Sequence, residues 1–182
     1  RARSCRSRLL PAEAYNQLLN LEHAEIARYI QDLEYRREID RYGSTLSGAD
    51  LIETALVDNL AKDVGDFLSF SKGKLRDILH VYAEKYRIEN LKNIVRGINQ
   101  NMDKQNLERL VCPINDSDKE LYNKLYDSKT VEDMISSLEG TSYYNPLKKA
   151  LEARNSDSLQ PLEDALDLIY YQNLVSNQPS GG

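Results

Sequence analysis

The 182 residues contain no tryptophan, two histidines, two cysteines and no apolar run near the ~20 residues that a membrane-crossing helix needs. Each scarcity closes off a class of function. Cys5 and Cys112 are too few for a disulfide framework and too far apart in sequence for a metal knuckle, which suits a reducing compartment. His23 and His80 fall on different helical stretches, without HExxH spacing or a Cys neighbour, so no metal site is expected. The stretch SKGK, from Ser71 to Lys74, lacks the spacing of a phosphate loop and reads as a helix junction with its N-cap, so no direct nucleotide binding is expected. Glu22, Glu25 and Glu53 are scattered over solvated helix faces instead of being paired, and neither a catalytic residue nor a cofactor is assigned.

An excess of charge of one sign is also missing from the totals, with 24 Lys and Arg against 29 Asp and Glu. The two halves differ. Up to Cys112 there are 18 basic and 17 acidic residues, and from Pro113 onward 6 and 12. An acidic second half argues against nucleic acid as a partner. The four arginines of RARSCRSRLL come without the apolar stretch of a secretory signal and read as a solvated first helix. The hydrophobic content of 41% suffices for a core. Twelve tyrosines at helical spacing read as core or interface residues and not as a stacking platform for single strands.

Apolar residues recur at three and four positions almost throughout, and no segment alternates in the manner of a strand, so the expected fold is all-α. Pro11 opens AEAYNQLL, and HAEIARYIQDLE follows with Ile26, Tyr29, Ile30 and Leu33 on one face. YRREIDRYGSTLSG breaks the pattern. Ser47 or Gly48 then starts a long helix with the stripe Leu51, Ala55, Leu56, Leu60, Val64, Phe67 and Leu68. After Ser71 and Gly73 comes a second long helix, from about Lys74 to Arg96, with Gly97 expected at its C′ position. Shorter helices are expected in DKELYNKLYD, in TVEDMISSLE with Thr130 and Asp133 as a capping pair, and in NPLKKALEA. The last expected helix is LQPLEDALDLIYYQNLV, and SNQPSGG reads as a flexible end.

The stretch YRIENLKNIVRG, Tyr86 to Gly97, puts Glu89, Asn90 and Asn93 on the flank of Tyr82 and Tyr86, where a simple amphipathic helix would carry its apolar stripe. A helix apolar over so wide an arc touches neighbours on two sides. Asn90 and Asn93 then need hydrogen bonds to an adjacent helix or loop, because a buried amide without a partner costs about 1–3 kcal/mol.

An internal repeat runs beneath these elements. YNQL at Tyr15 returns as YNKL at Tyr122, YIQDLE ending at Glu34 returns as MISSLE ending at Glu139, and LIETAL ending at Leu56 returns as PLEDAL ending at Leu166. Three matches in the same order, offset by about 105 to 110 residues, indicate duplicated helical modules. Residues 1–113 form the first, and 114–182 the second, which stops before its copy of the helix carrying YRIENLKNIVRG. The stripe Leu162, Ala165, Leu166, Leu168 and Ile169 is therefore expected to be partly uncovered and to favour a homotypic contact.

SRLLPAEAYNQLL, DLIETALVDNLAK, YAEKYRIENLKNIVRG and PLEDALDLIYYQNL together resemble the C subunits of the archaeal and bacterial A/V-type ATP synthases, relatives of the d subunits of the eukaryotic V-type ATPases. The resemblance covers about Arg3 to Leu174. It implies three similar helical modules arranged as a pseudo-threefold funnel, without an active site. Its partners would be the central shaft subunits at the wide mouth and the membrane rotor ring on the other face. The implied work is mechanical: a central-stalk rotor element that couples the ATP-handling part to ion movement, cytoplasmic and peripheral to the membrane. Tyr86, Glu89, Asn90, Leu91, Arg96 and Gly97 match the family motif and are read as packing and hydrogen-bonding residues. The alternatives are a helical-repeat adaptor with a concave protein-binding face, and an enzyme with a pocket between the modules, which a deep cleft lined by strongly shifted titratable groups would favour.

Overall fold

The computed structural model describes residues 10–154 and 158–176, and these are all-α, with ten helices. The expected solvated first helix and the SNQPSGG end fall largely outside the described residues. Two compact units divide the chain, residues 1–60 and residues 61–182. This packing boundary lies within a helix and differs from the sequence-repeat boundary at Pro113.

In the first unit, Pro11 sits at the N-cap of α1 (Ala12–Leu18), where its missing N–H removes nothing the helix needs. α2 (His23–Gln31) is held at its start by the Glu22 N–H donating to Glu25 Oε2 at 3.0 Å. YRREIDRY, expected to be a break, is instead α3 (Arg36–Tyr42). Its sequence offers Ile39 as the one aliphatic anchor, which is why periodicity passes over it. Ile39 nevertheless packs with Ala27, Ile30, Leu51 and Ala55 in the unit's core. Leu33 lies beyond α2 and is 42% exposed, so it does not continue the face of Ile26, Tyr29 and Ile30. Asp58 accepts hydrogen bonds from Arg41 Nη1 and the Tyr42 hydroxyl, both at 3.1 Å, tying α3 to α4 (Gly48–Phe70).

α4 does not bury the single stripe expected of it. Leu51 and Ala55 are buried in the first unit, Ala61, Val64 and Leu68 in the second, while Leu56 and Leu60 are partly exposed. In the second unit, Gly65 lets α4 run against the segment after α6: a Cβ there would lie 2.3 Å from the Ile114 carbonyl oxygen.

α5 (Gly73–Asn99) is the centre of the second unit. Its Ile88, Leu91, Ile94, Val95 and Ile98 enter a core with Leu107 of α6 (Lys104–Arg109) and with Tyr122 and Leu125 of α7 (Asp116–Leu125). Met134 and Ile135 of α8 (Val131–Ser136), Leu147 of α9 (Tyr144–Glu152) and Leu162, Leu166 and Ile169 of α10 (Gln160–Ser176) complete it. Thr130 Oγ1 accepts from the Asp133 N–H at 3.1 Å, the expected cap of α8. The expected uncovered stripe needs correction: Leu162, Leu166 and Ile169 are buried, Ala165 packs against the same core, and only Leu168 of the five is exposed. α5, which precedes Pro113, covers what the repeat arithmetic left bare.

Gly65→Ala should destabilise the protein by about 1–3 kcal/mol, because the new methyl meets rigid backbone and outweighs the gain in helix propensity. A lower thermal midpoint with helix content unchanged at low temperature is the expected reading.

Candidate functional site

The motif residues along α5 lie among a set of cross-braces to neighbouring segments. α5 starts at Gly73, whose φ of +57° lets the chain turn in from N-cap Lys72, while the Ser71 hydroxyl makes no capping bond. The Tyr82 and Tyr86 rings meet edge to face at 5.4 Å with their hydroxyls 3.0 Å apart. Burial, then the Tyr82 hydroxyl, pushes the Tyr86 phenol up to about 12.

Asn90 uses both ends of its amide on one backbone position. Its Nδ2 donates to the Cys112 carbonyl at 2.9 Å and its Oδ1 accepts from the Cys112 N–H at 3.2 Å. Asn93 Nδ2 donates to the Leu110 carbonyl at 3.1 Å. The two amides thus dock the segment leading out of α6 onto α5, which answers the need for partners that their position implies. Leu91 is fully buried in the core. Glu89 is exposed and reaches Lys92 at 3.5 Å.

Gly97 is not the C′ residue. It lies inside α5, and the left-handed position falls to Asn101, φ 55°. The Met102 N–H donates to the Gly97 carbonyl and the Asn101 N–H to the Ile98 carbonyl, both at 2.9 Å, the paired bonds of a Schellman ending. Gly97 instead makes room for α6: a Cβ there would sit 2.3 Å from Leu107 Cδ2.

Two ionic groupings complete the bracing. On one flank Lys92 Nζ meets Asp167 Oδ1 at 2.7 Å, and Arg96 grips Glu163 through two nitrogens at 2.8 and 2.6 Å. The two cations are one turn apart on α5 and the two acids one turn apart on α10, in reversed order, so the ladder fixes an antiparallel register. Arg96 beside Glu163 holds that carboxyl below its ordinary range, outweighing the opposing effect of burial. Burial works against the Lys92 charge, yet Asp167 and Glu89 hold its pKa above the usual value.

The second grouping uses none of the six motif residues singled out above. Arg87 Nε faces Asp118 at 2.9 and 3.1 Å and its Nη1 faces Glu84 at 3.3 Å, while the Tyr143 hydroxyl donates to Glu84 Oε1 at 2.8 Å. All three charged side chains are less than 20% exposed. Burial opposes the Arg87 charge, but Asp118 and then Glu84 more than offset it and keep its pKa raised. Burial likewise pushes the Tyr122 and Tyr143 hydroxyls above the phenol range, so both stay neutral. Its one signal in the sequence is Glu84 and Arg87 three residues apart on α5; nothing local marks Asp118 or Tyr143 as their partners.

A cavity of about 420 Å³ opens beside this group, lined by Arg87, Asp118, Tyr122, Lys124, Thr141 and Tyr143 among others. Arg87, Asp118 and Tyr143 on its wall are turned toward internal partners, which leaves them poorly placed for proton or group transfer. Among the described residues no group of His, Cys, Asp and Glu could hold a metal ion, and no helix is long and apolar enough to cross a membrane. His80 accepts from Arg76 Nε at 3.3 Å on the surface, and His23 begins α2.

A model of the family described as ATP synthase (C/AC39) subunit matches residues 1–182. The chain is 34% identical over 180 residues to the A-type ATP synthase C subunit of Archaeoglobus fulgidus, covering 99% of this chain and 51% of that protein. It is 35% identical over 178 residues to the A-type ATP synthase C subunit of Haloferax volcanii, covering 97% and 51%. The protein of the same name from Methanosarcina acetivorans is 33% identical over 176 residues, covering 97% and 48%. The chain thus spans about half the length of the curated relatives it matches.

Removing Arg87 leaves two enclosed carboxylates facing one another, so Arg87→Ala should cost about 3–5 kcal/mol in chemical denaturation. Glu163 gives a pH signature. Its folded-state pKa is lowered, so its stabilisation is present above the ordinary carboxylate value of 4.5 and is lost as pH falls through the lower folded value. Glu163→Gln should therefore lower stability at neutral pH by no more than about 1 kcal/mol and flatten the acid limb of stability against pH.

Proposed function

The chain belongs to the ATP synthase (C/AC39) subunit family, and from that premise we propose that it serves as a non-catalytic rotor element of the central stalk. On this reading it links the soluble, ATP-handling part of an A/V-type machine to the membrane ring that moves ions. Its partners are the central shaft subunits and that ring, and it works on the cytoplasmic side, peripheral to the membrane. The observation that carries the reading is the bracing of α5: ion pairs and amide bonds tie it to α7, α10, Tyr143 and the Leu110–Cys112 backbone. A part that transmits torque must keep its shape under load, and helices locked by enclosed, satisfied polar contacts meet that need.

The same reading takes residues 1–113 as one helical module and 114–182 as the beginning of a second. Helix order supports it. The repeated stretches lie on α1 and α7, α2 and α8, α4 and α10, and α3 occupies the same rank as α9. In the second unit α5 then fills a place against α10 that a helix of its own module would otherwise take. Tyr86, Glu89, Asn90, Leu91, Arg96 and Gly97 act as structural motif residues: they set how α5 meets α6, α10 and the intervening loop.

A pull-down with the shaft subunits of an A-type complex tests the assignment. The full reading frame containing these residues should retain the shaft, and Arg87→Ala should weaken retention through loss of the folded unit. Intact full-length protein that fails to bind the shaft would overturn the assignment.

A further inference from the structure

The repeat allows α4 and α10 to be compared position by position. LIETAL and PLEDAL set Glu53 in register with Glu163, Leu56 with Leu166, Val57 with Asp167 and Leu60 with Tyr170. On α10 that flank is covered: Leu166 is fully buried, Tyr170 packs against the core, and Arg96 of α5 grips Glu163 at 2.8 and 2.6 Å. On α4 the same flank is bare. Leu56, Val57 and Leu60 are 39%, 37% and 38% exposed, and Glu53 is exposed and meets no cation among the described residues. Their spacing keeps all four on one side of the helix.

We propose that this flank of α4 receives a helix of the same kind as α5, supplied by the part of the full-length protein outside these 182 residues, with an arginine that pairs with Glu53 as Arg96 pairs with Glu163. The inference rests on the module reading given above. The α5 of this chain is not free to take the place, because Arg96 is committed to Glu163, and Leu91 and Val95 to the core. A second copy carries the same commitments, so it cannot supply the helix either. The chain spans 51% of each of two relatives, which leaves the full-length protein room for a further helix of this kind. Asp167 has no acidic counterpart, since Val57 stands in its position. The incoming helix is therefore expected to bring the arginine without a lysine one turn before it, where an ammonium would face Val57 unpaired.

Photocrosslinking of the full-length protein tests this, with p-benzoylphenylalanine placed at position 56. The expected product is a link within one polypeptide, from residue 56 to a helix outside residues 1–182 that carries an arginine within about one turn of the linked site. The same probe in place of Lys62, on the other side of α4, should miss that helix. Glu53→Arg should lower the yield of the link about threefold. Leu56→Asp should speed amide hydrogen exchange over residues 52–60 of the full-length protein by about tenfold, while exchange in α5 and α10 stays unchanged and shows the fold retained. A link that stays within residues 1–182, one that joins two polypeptides, or none at all overturns the proposal. So does exchange indifferent to Leu56→Asp. Full-length protein that gives the link but fails to bind the shaft loses the stalk assignment and keeps this contact, whereas shaft binding without the link does the reverse.

Discussion

Arg87 cannot leave its place without stranding two carboxylates, and much of the second unit is arranged around that constraint. Its guanidinium reaches Asp118 at the start of α7 and Glu84 one turn back on α5, and Glu84 is in turn held by the Tyr143 hydroxyl before α9. An enclosed ion group of this kind adds little net stability compared with a well-packed apolar replacement. It penalises misplacement steeply, because any shift that parts the charges leaves them desolvated. α5, α7 and the entry to α9 are thereby held to one relative arrangement.

The Lys92–Asp167 and Arg96–Glu163 ladder acts differently. Lys92 is buried, but Asp167 and Arg96 are 43% and 44% exposed, so water and salt weaken each rung. Its value lies in register: sliding α10 by one turn would break or mismatch both rungs, while Leu162, Leu166 and Ile169 would leave their sites in the core shared with Leu91 and Val95. Asn90 and Asn93 add a third kind of tie by clasping backbone, which offers fixed geometry on both sides of the bond. A protein read as passing on rotation by shape needs such redundancy, since each tie opposes a different displacement.

Much of the architecture is legible in the sequence because periodicity reports burial directly. The long helices, the Thr130 cap and the short helices after Pro113 follow from local pattern. α3 escapes because RREIDRY carries a single aliphatic anchor, and its burial depends on α2 and α4 being present. Gly97 is misleading because a glycine near a helix end has two physical uses, a left-handed turn or a close approach, and sequence spacing does not distinguish them. Asn101 takes the turn and leaves Gly97 to admit Leu107.

Within the candidate site the same division appears. Residue type and position alone established that α5 is buried on more than one side and that Asn90 and Asn93 need partners, because 3.6-residue periodicity and unmet hydrogen-bonding groups are local facts. Which partners they find, that Arg87 faces Asp118 thirty-one residues away, and that α10 is covered by α5 were decided only by the tertiary structure. Complementary charge and shape are properties of two surfaces together, and no stretch of chain read by itself contains the second surface.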